Sequence, residues 1–270
     1  MQFETIRVSA SGAQGALVLA RPERLNALSA KAMREIAAAA RWFDEQKDVR
    51  VVIVRGEGRS FCAGADLRES PVAEAAPGAG RSWAERREVG QLGLRMADAL
   101  EQMRAVTIAQ VHGHAVGGGV VLMAACDLRV VAEGTVLSIP EIELGIPLAW
   151  GGIPRLVREI GPALTKELVM TCRRFTPEEA KAAGFVNRVV PAARLDDEVQ
   201  GLARELAAKP VVPVIVTKEH VNAVTRAMSA GHTGFADGDV LLGTVFDPDS
   251  LEAARRYRGA ALGRRDDGDA

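Results

Sequence analysis

Short apolar strands alternate with helices through about residue 190, and only helical patterns follow. The run Val49–Val54 is rich in β-branched residues and almost continuously apolar, which is typical of a strand buried on both faces of a parallel sheet. Ile108–Val111 and Leu128–Ala132 have the same character. This alternation predicts an α/β core over residues 1–195 and a helical C-terminal region over residues 196–270.

The N-terminal third contains the clearest local patterns. Period-2 alternation predicts a β-hairpin in which Phe3–Val8 pairs with Gly15–Leu19. A helix follows, capped by either Asn26 or Ser29, and it runs to about Gln46.

Further helices are predicted from periodicity and from capping residues. We expect one long helix over Trp83–Met103 and two shorter ones over Pro154–Ile160 and Leu164–Thr171. Thr176 precedes a proline and stands three residues before Glu179, which is the pattern of a capping box.

Composition and charge argue against several classes of protein. With 270 residues, 48% of them hydrophobic, the chain can bury one large core. A net charge of −1 provides no single-sign field for binding nucleic acid or an acidic membrane surface. The three cysteines are too widely spaced for a disulfide framework or a metal-ligand set. Because the N-terminus also lacks the signal-peptide pattern, we predict a soluble cytoplasmic protein with no nucleic-acid or membrane partner.

Two glycine-rich corners each follow a predicted strand and precede a predicted helix. They are Phe61–Leu67 and Gly117–Gly119. Glycine lets a backbone approach a ligand closely, and the amides at a helix start have no intrahelical partner. Two such corners could hold one oxygen between two N–H donors, which is an oxyanion hole. Tight turns required only by packing are the alternative interpretation.

Other binding patterns do not fit these segments. Gly56–Gly58 lacks the third glycine of a dinucleotide-binding fingerprint, and Gly117–Gly119 is followed by Val120 instead of the Gly-Lys-Ser/Thr of a P-loop. His112 and His114 have no third ligand nearby, so we interpret them as packing or hydrogen-bonding residues and predict no metal site.

Several short motifs occur in a fixed order along the chain. They are Arg21-Pro22, Leu25-Asn26-Ala27-Leu28, Phe61–Leu67, Val111–Gly119, Cys126-Asp127, Pro140-Glu141, Leu144–Pro147, Gly151-Gly152, Arg155-Leu156, Ala180 and Ala183-Gly184. Their order and spacing resemble the enoyl-CoA hydratase/isomerase (crotonase) family over about residues 3–258. The resemblance implies a crotonase-like spiral of strand-strand-helix turns with a helical C-terminal region, assembled as a homotrimer or a hexamer (a dimer of trimers). It also implies an acyl-CoA thioester substrate, of which coenzyme A is a part, and no separate cofactor.

The resemblance also assigns roles to individual residues. The thioester oxygen would be held by the backbone amides of Ala65 and Gly118, one from each corner. The substrate and CoA path would be lined by Leu25, Ala27, Ala63, Asp66, Leu67 and Gly117. Reaction next to a thioester builds enolate charge on that oxygen, and each well-placed donor lowers the barrier by about 2.7–4 kcal/mol.

Glu141 is the one convincing acid/base residue. It follows Pro140, at the position where the family places a catalytic glutamate. A hydratase of this family resembles a two-carboxylate enzyme, but here the other position falls on Val121. Dienoyl isomerases place an acid eight residues after the Pro-Glu carboxylate, and here that position is Ala149. We interpret Glu143 as a solvated loop charge.

One glutamate can take a proton from one carbon of an enoyl chain and return it two carbons along, which is Δ3-to-Δ2 isomerisation. Burial beside Val121, Leu148 and Trp150 is expected to raise the pKa of Glu141. The sequence therefore predicts an enoyl-CoA hydratase/isomerase-type enzyme that leans to Δ3,Δ2-enoyl-CoA isomerisation or weak hydration. The alternative is an acyl-CoA-binding protein of crotonase fold with little or no catalysis.

Overall fold

Six strands form the main sheet, and all of its pairings are parallel except the first. The structure, a computed structural model, describes residues 2–69, 80–228, 234 and 236–266, with side chains as far as residue 260. The strands are β1 (Ile6–Ser11), β2 (Gln14–Leu19), β3 (Val51–Gly56), β4 (Val106–Val111), β5 (His114–Val116), β6 (Leu128–Ala132), β7 (Val136–Ser138) and β8 (Arg188–Val190). The main sheet has the order β1-β2-β3-β4-β6-β8, and β5 pairs with β7 in a separate sheet.

Helices cover the sheet and form the C-terminal part of the described chain. They are α1 (Ala30–Glu45), α2 (Trp83–Gly90), α3 (Leu92–Gln102), α4 (Gly118–Ala124), α5 (Gly152–Thr171), α6 (Pro177–Ala182), α7 (Leu195–Ala207), α8 (Val211–Met228), α9 (Asp237–Gly243) and α10 (Pro248–Asp266).

Strand β3 is buried on both faces because its alternate side chains enter two different hydrophobic cores. Val52 and Val54 belong to the larger core, which includes side chains of α1, α3 and α4. Val51 and Ile53 belong to the smaller core beneath α7. The two-sided burial explains why this segment is apolar throughout instead of alternating. Helix α7 therefore covers the second face of the sheet, and the predicted boundary between residues 195 and 196 falls at its start.

The predicted N-terminal hairpin is confirmed, since β1 and β2 pair in antiparallel register. Of the two candidate caps, Ser29 caps α1 by accepting a hydrogen bond from the amide of Ala32 at 3.3 Å. The Asn26 side chain instead accepts from the Arg21 amide at 3.0 Å and donates to the Ser60 carbonyl at 2.8 Å. Asn26 thus ties the loop before α1 to the first glycine-rich corner.

The single helix predicted over Trp83–Met103 is wrong, because α2 and α3 meet at a break at Gln91. Gly90, the last residue of α2, packs against the backbone of Gly238 in α9, where an added Cβ would lie 3.2 Å from the Gly238 oxygen. The break therefore occurs where a distant segment packs on bare backbone, which the local pattern could not indicate.

Helix α5 contains the interruption that separates the two helices predicted there. Gly161 has φ 73° and ψ 168°, outside the helical region, and Pro162 follows it. Thr176 caps α6 by accepting from the Glu179 amide at 3.1 Å. The Glu179 carboxylate, however, pairs with Arg173 at 2.5 Å, so only half of the predicted capping box is formed.

Helix α8 contacts the core through polar groups and has no buried residue. Lys218 pairs with Asp127 at 2.7 Å and donates to the Ala105 carbonyl at 2.8 Å. Five of its large apolar side chains are exposed: Val212, Val216, Val221, Val224 and Met228. Helix α9, in contrast, buries Leu241 and Leu242. Among the described residues, none of the helices combines the length and apolarity needed to cross a bilayer.

Candidate active site

The two glycine-rich corners lie side by side. The amide of Cys62 donates to the His114 carbonyl at 3.0 Å, and the amide of Val116 donates to the Cys62 carbonyl at 3.0 Å. These bonds join Phe61–Leu67 to strand β5, directly before Gly117–Gly119. Segments far apart in the sequence therefore share one end of the fold.

Close backbone approaches make glycine necessary at two positions in these corners. Gly64 has φ 89°, and an added Cβ would lie 2.6 Å from the Val116 carbonyl oxygen and 3.5 Å from the Gly118 nitrogen. Gly117 has φ 51°, and an added Cβ would overlap the Glu141 carboxylate. The two corners and Glu141 therefore meet in one place.

The amides of Ala65 and Gly118 find no hydrogen-bond acceptor in the part of the chain that the structure describes. Their neighbours do: the Asp66 amide donates to the Leu28 carbonyl at 3.0 Å, and the Gly117 amide donates to a carbonyl of β7 at 2.9 Å. Gly118 begins α4, where an amide has no intrahelical partner. Each corner thus retains at least one uncommitted donor within the described structure.

Glu141 follows β7, and its carboxylate borders the cavity between the corners. The residue is only 8% exposed, and within the described structure its Oε2 atom has no hydrogen-bond partner. Burial raises the pKa of Glu141 to about 7, the direction expected from the sequence, because apolar surroundings disfavour the charged form. A carboxyl group with this pKa can both accept and release a proton near neutral pH.

The cavity beside Glu141 has a volume of about 80 Å³ and is mainly apolar. Predicted site residues on its wall are Ala63, Ala65, Leu67 and Gly117. Gly118 lies directly behind Gly117, with the indole of Trp150 against its Cα. The structure therefore brings the predicted amides, the carboxylate and part of the predicted lining (Ala63, Leu67 and Gly117) into one site.

Leu25, Ala27 and Asp66 brace the first corner without lining this cavity. The Ala63 amide donates to the Leu25 carbonyl at 3.0 Å, and Arg21 donates to the Ala27 carbonyl at 3.0 Å. Arg21 also forms an ion pair with Asp66 at 2.9 Å. These contacts fix the segment that carries Ala65.

The Asp66 carboxylate stays ionised in spite of its burial. Desolvation alone would raise its pKa, but hydrogen bonds from the amides of Glu69 and Arg68, together with the Arg21 guanidinium, hold the pKa below its usual value. The geometry therefore favours a structural role for Asp66, next to the amide of Ala65.

Apolar residues occupy both candidate positions for a second carboxylate. Val121 is 1% exposed and lies against Leu148 and Gly152, since an added Cβ at Gly152 would be 2.9 Å from Val121 Cγ2 and 2.9 Å from Leu148 Cγ. Ala149, the other candidate position for an acid, lines the cavity, whereas Val121 is not among the described residues of its wall. Glu141 is therefore the one carboxylate among the described residues of the cavity wall.

Sequence reasoning missed the part of the wall that comes from the C-terminal helices. Leu241 and Leu242 of α9 and Tyr257 of α10 line the cavity opposite the corners. Asp237 at the start of α9 accepts a hydrogen bond from the Gly151 amide at 2.7 Å. No motif marks Leu241 and Leu242, because they reach the site only through tertiary packing.

The remaining candidates have other environments. Glu143 is exposed. The His112 ring bonds to the Gly58 carbonyl at 2.8 Å, and the His114 ring bonds to Ser60 at 3.0 Å. Within residues 2–69, 80–228, 234 and 236–266, no cluster of His, Cys, Asp and Glu could hold a metal ion.

Cys62 is unsuited to nucleophilic catalysis. Burial raises the pKa of its thiol to about 12, so the thiolate is scarcely populated at neutral pH. The corner that contains Cys62 therefore contributes backbone groups to the site.

A layered α/β fold with one buried, unpartnered carboxylate beside two uncommitted amides is the arrangement of an acid/base enzyme. The sequence profile described as Enoyl-CoA hydratase/isomerase matches residues 12–257. The chain belongs to this family, and its fold is the crotonase fold.

Individual relatives support this assignment. The chain is 36% identical over 222 residues to a protein of Dictyostelium discoideum named "Probable enoyl-CoA hydratase, mitochondrial", covering 82% of this chain and 76% of the relative. It is also 36% identical over 222 residues to a peroxisomal Delta(3,5)-Delta(2,4)-dienoyl-CoA isomerase of Arabidopsis thaliana, covering 80% of each chain. A crystal structure of an enoyl-CoA hydratase/isomerase from Xanthobacter autotrophicus Py2 covers 100% of both chains, with a TM-score of 0.86 and 27% identity.

Proposed function

We propose that the protein acts on acyl-CoA thioesters as a Δ3,Δ2-enoyl-CoA isomerase, with Glu141 as its single acid/base residue. The observation that carries this proposal is the buried Glu141 carboxylate, which faces the cavity with one oxygen unpartnered and no second acid on the described wall. A reaction that needs only one proton carrier matches this arrangement.

In the proposed reaction, ionised Glu141 removes a proton from C2 of a 3-enoyl-CoA, between the carbonyl and the double bond. The electron pair moves through C2 to the thioester oxygen and forms a dienolate. The same carboxyl group then delivers the proton to C4, and the double bond is left between C2 and C3. No atom is gained or lost, so the enzyme needs no co-reactant.

The amides of Ala65 and Gly118 would donate to the thioester oxygen while it carries the negative charge. Both belong to well-supported backbone segments, so they need no reorganisation during the reaction. Each donor is expected to lower the barrier by about 2.7–4 kcal/mol. Leu25, Ala27, Ala63, Asp66, Leu67 and Gly117 would shape or support the path of the CoA moiety.

The raised pKa of Glu141 suits both halves of the reaction. With a pKa of about 7, a substantial fraction of the carboxyl groups is ionised and ready to act as a base at neutral pH. The protonated form is then a sufficiently strong acid to return the proton. A fully solvated glutamate would be a weaker base for the first step.

Hydration is less well supported than isomerisation. Adding water requires a water molecule to be held and activated near the double bond, for which a second carboxylate is useful. Val121 and Ala149 present only apolar atoms at the two candidate positions. We therefore propose that hydration is at most a slow side reaction.

The same absence favours a second candidate, an acyl-CoA-binding protein with little or no turnover. Glu141 distinguishes the two, because a binding protein has no need for a buried carboxyl group with an unpartnered oxygen.

A further proposal concerns assembly: the exposed apolar side chains of α8 support packing against other copies, as a homotrimer or a dimer of trimers. Sedimentation analysis of the purified protein tests that proposal, and a monomer at micromolar concentration contradicts it.

The central experiment supplies a 3-enoyl-CoA and a 2-trans-enoyl-CoA in separate assays to the wild type and to Glu141→Gln. We expect the wild type to form the 2-enoyl product much faster than it hydrates, and Glu141→Gln to lose isomerisation while still binding substrate. Glu143→Gln, a matched change at the exposed neighbour, should behave as wild type.

Two results would contradict the proposal. Hydration by wild type faster than isomerisation would show that the apolar wall does not prevent water activation. Binding of both thioesters without turnover would favour the binding-protein alternative.

A further inference from the structure

Trp150 occupies an unusual position at one end of the cavity. It is a bulky residue with φ 60°, in the left-handed region that such side chains rarely adopt. The residue is 9% exposed, and it lines the cavity together with Glu141 and Leu148. A conformation of this kind persists only where surrounding contacts enforce it.

The indole ring fits between two glycines on different helices. An added Cβ at Gly93 of α3 would overlap the indole, and so would one at Gly118 of α4. Bare backbone on both sides leaves a slot that the ring fills. The ring therefore separates the cavity from the space between α3 and α4.

The backbone that carries the ring is held from two directions. Asp237 accepts from the Gly151 amide at 2.7 Å, and Arg155 donates to the Gly151 carbonyl at 3.2 Å. Arg155 is itself fixed by ion pairs with Asp98 at 2.8 Å and Glu101 at 2.5 Å. These contacts fix the backbone next to Trp150, while Gly93 and Gly118 enclose the ring.

The ring is also close to the proposed reaction centre, since it contacts Gly118, whose amide is one of the two proposed donors to the thioester oxygen. The cavity of about 80 Å³ is far below the roughly 300–1,000 Å³ of typical ligand pockets. An acyl chain extending past the reacting carbons towards the slot would therefore meet the indole ring.

We infer that Trp150 is a specificity-determining residue whose indole closes the acyl end of the cavity and restricts the enzyme to short acyl chains. This inference rests on the proposed acyl-CoA function. It follows that removing the ring opens the slot between Gly93 and Gly118 and extends the cavity towards α3.

The test measures binding of saturated acyl-CoAs with four-carbon and ten-carbon chains by isothermal titration calorimetry. Saturated chains undergo neither isomerisation nor hydration, so the readout does not depend on Glu141 chemistry. Trp150→Gly is the primary variant, because glycine accepts the left-handed backbone without strain. Trp42→Ala is the matched control: that indole lies on α1 against Phe43, away from the residues that line the cavity.

We expect the wild type and Trp42→Ala to bind the four-carbon thioester more tightly than the ten-carbon one. In Trp150→Gly the order should reverse, because each newly buried methylene tightens binding by roughly fourfold. If three methylene groups of the ten-carbon chain enter the opened slot, the ratio of the two dissociation constants should shift by about 60-fold. Trp150→Phe, which retains a smaller ring, should show a partial shift and remains informative if the glycine variant fails to fold.

Three outcomes would overturn the inference. The first is a wild type that binds both chain lengths equally well. The second is a folded Trp150→Gly, or failing that a folded Trp150→Phe, with an unchanged preference. The third is a wild type that binds neither thioester, which would also overturn the proposed function. Retention of isomerisation by Glu141→Gln, in contrast, would contradict the proposed mechanism and leave the chain-length result intact.

Discussion

The Cα of Gly117 faces the Glu141 carboxylate so closely that a methyl group on it would overlap Oε1. Gly117 thus lies between two parts of the proposed site. It contacts the carboxylate of Glu141, the proposed proton carrier, and it directly precedes Gly118, whose amide is one of the two proposed donors. The carboxylate can occupy its position only because residue 117 has no side chain.

Gly117→Ala is therefore expected to displace the carboxylate. We predict a fall in kcat for isomerisation of about 100-fold, the usual cost of a small misplacement of a reacting group. Gly12→Ala is the control, because Gly12 has a similar φ of 55° but no atom within 4 Å of an added Cβ. Both variants should lose stability through backbone strain, about 1–3 kcal/mol, and kcat and thermal melts measured together separate strain from displacement. Equal kcat in the two variants would contradict the prediction.

The raised pKa of Glu141 makes the stability of the protein depend on pH. The carboxyl group ionises near 4.5 when unfolded and near 7 when folded. Between these values the folded state binds more protons than the unfolded state, so stability from this group is complete below about 4.5 and is lost as the pH rises through about 7. By pH 8 the loss amounts to about 3 kcal/mol.

Glu141→Gln removes this ionisation, so the stability of the variant relative to wild type should rise by about 2.5 kcal/mol between pH 5 and pH 8. Urea denaturation at the two pH values measures the difference. Glu143→Gln, at an exposed position, should show no such change. A difference between Glu141→Gln and wild type that stays constant with pH would mean that the carboxyl group is not desolvated in the folded protein.

Val121→Glu is expected from the sequence to raise hydration if the site accommodates the new side chain. The structure adds a cost, because Val121 lies against Leu148 and Gly152 and is almost fully buried. An unpaired buried carboxyl group should destabilise the protein by more than about 3 kcal/mol. Val121→Met tests size alone and should cost about 1–3 kcal/mol.

The hydration prediction for Val121→Glu applies to the molecules that remain folded. The ratio of hydration to isomerisation, measured below the melting temperature of the variant, should exceed that of wild type and of Val121→Met. A folded Val121→Glu with an unchanged ratio would mean that the new carboxyl group does not reach the reaction centre.

Much of the fold could be predicted because its signals are local. The continuous apolarity of Val51–Val54 predicts the two-sided burial of β3. Ser29 could be identified as a candidate cap from its residue type alone. The break at Gln91 could not, because it depends on Gly238 packing against Gly90 from a distant helix. Likewise, Arg173 competes for Glu179 and leaves the capping box half formed.

In the candidate site, too, the residues that belong to local motifs could be predicted, and those placed by tertiary packing could not. Glu141 and the two corners could be found because each belongs to a short motif whose order along the chain is distinctive. Leu241 and Leu242 could not, since apolar residues on a short helix indicate burial but not what they are buried against. The role of Trp150 depends on two glycines, Gly93 and Gly118, that meet only in the folded protein.

Helices α9 and α10 supply one wall of the cavity, and this has a consequence for biosynthesis. The sheet and both corners can assemble on the ribosome before Leu241 and Tyr257 have emerged from the exit tunnel. At that stage the cavity beside Glu141 still lacks the wall that Leu241, Leu242 and Tyr257 supply. The residues of the sheet and of both corners are therefore translated before the residues that complete the cavity wall.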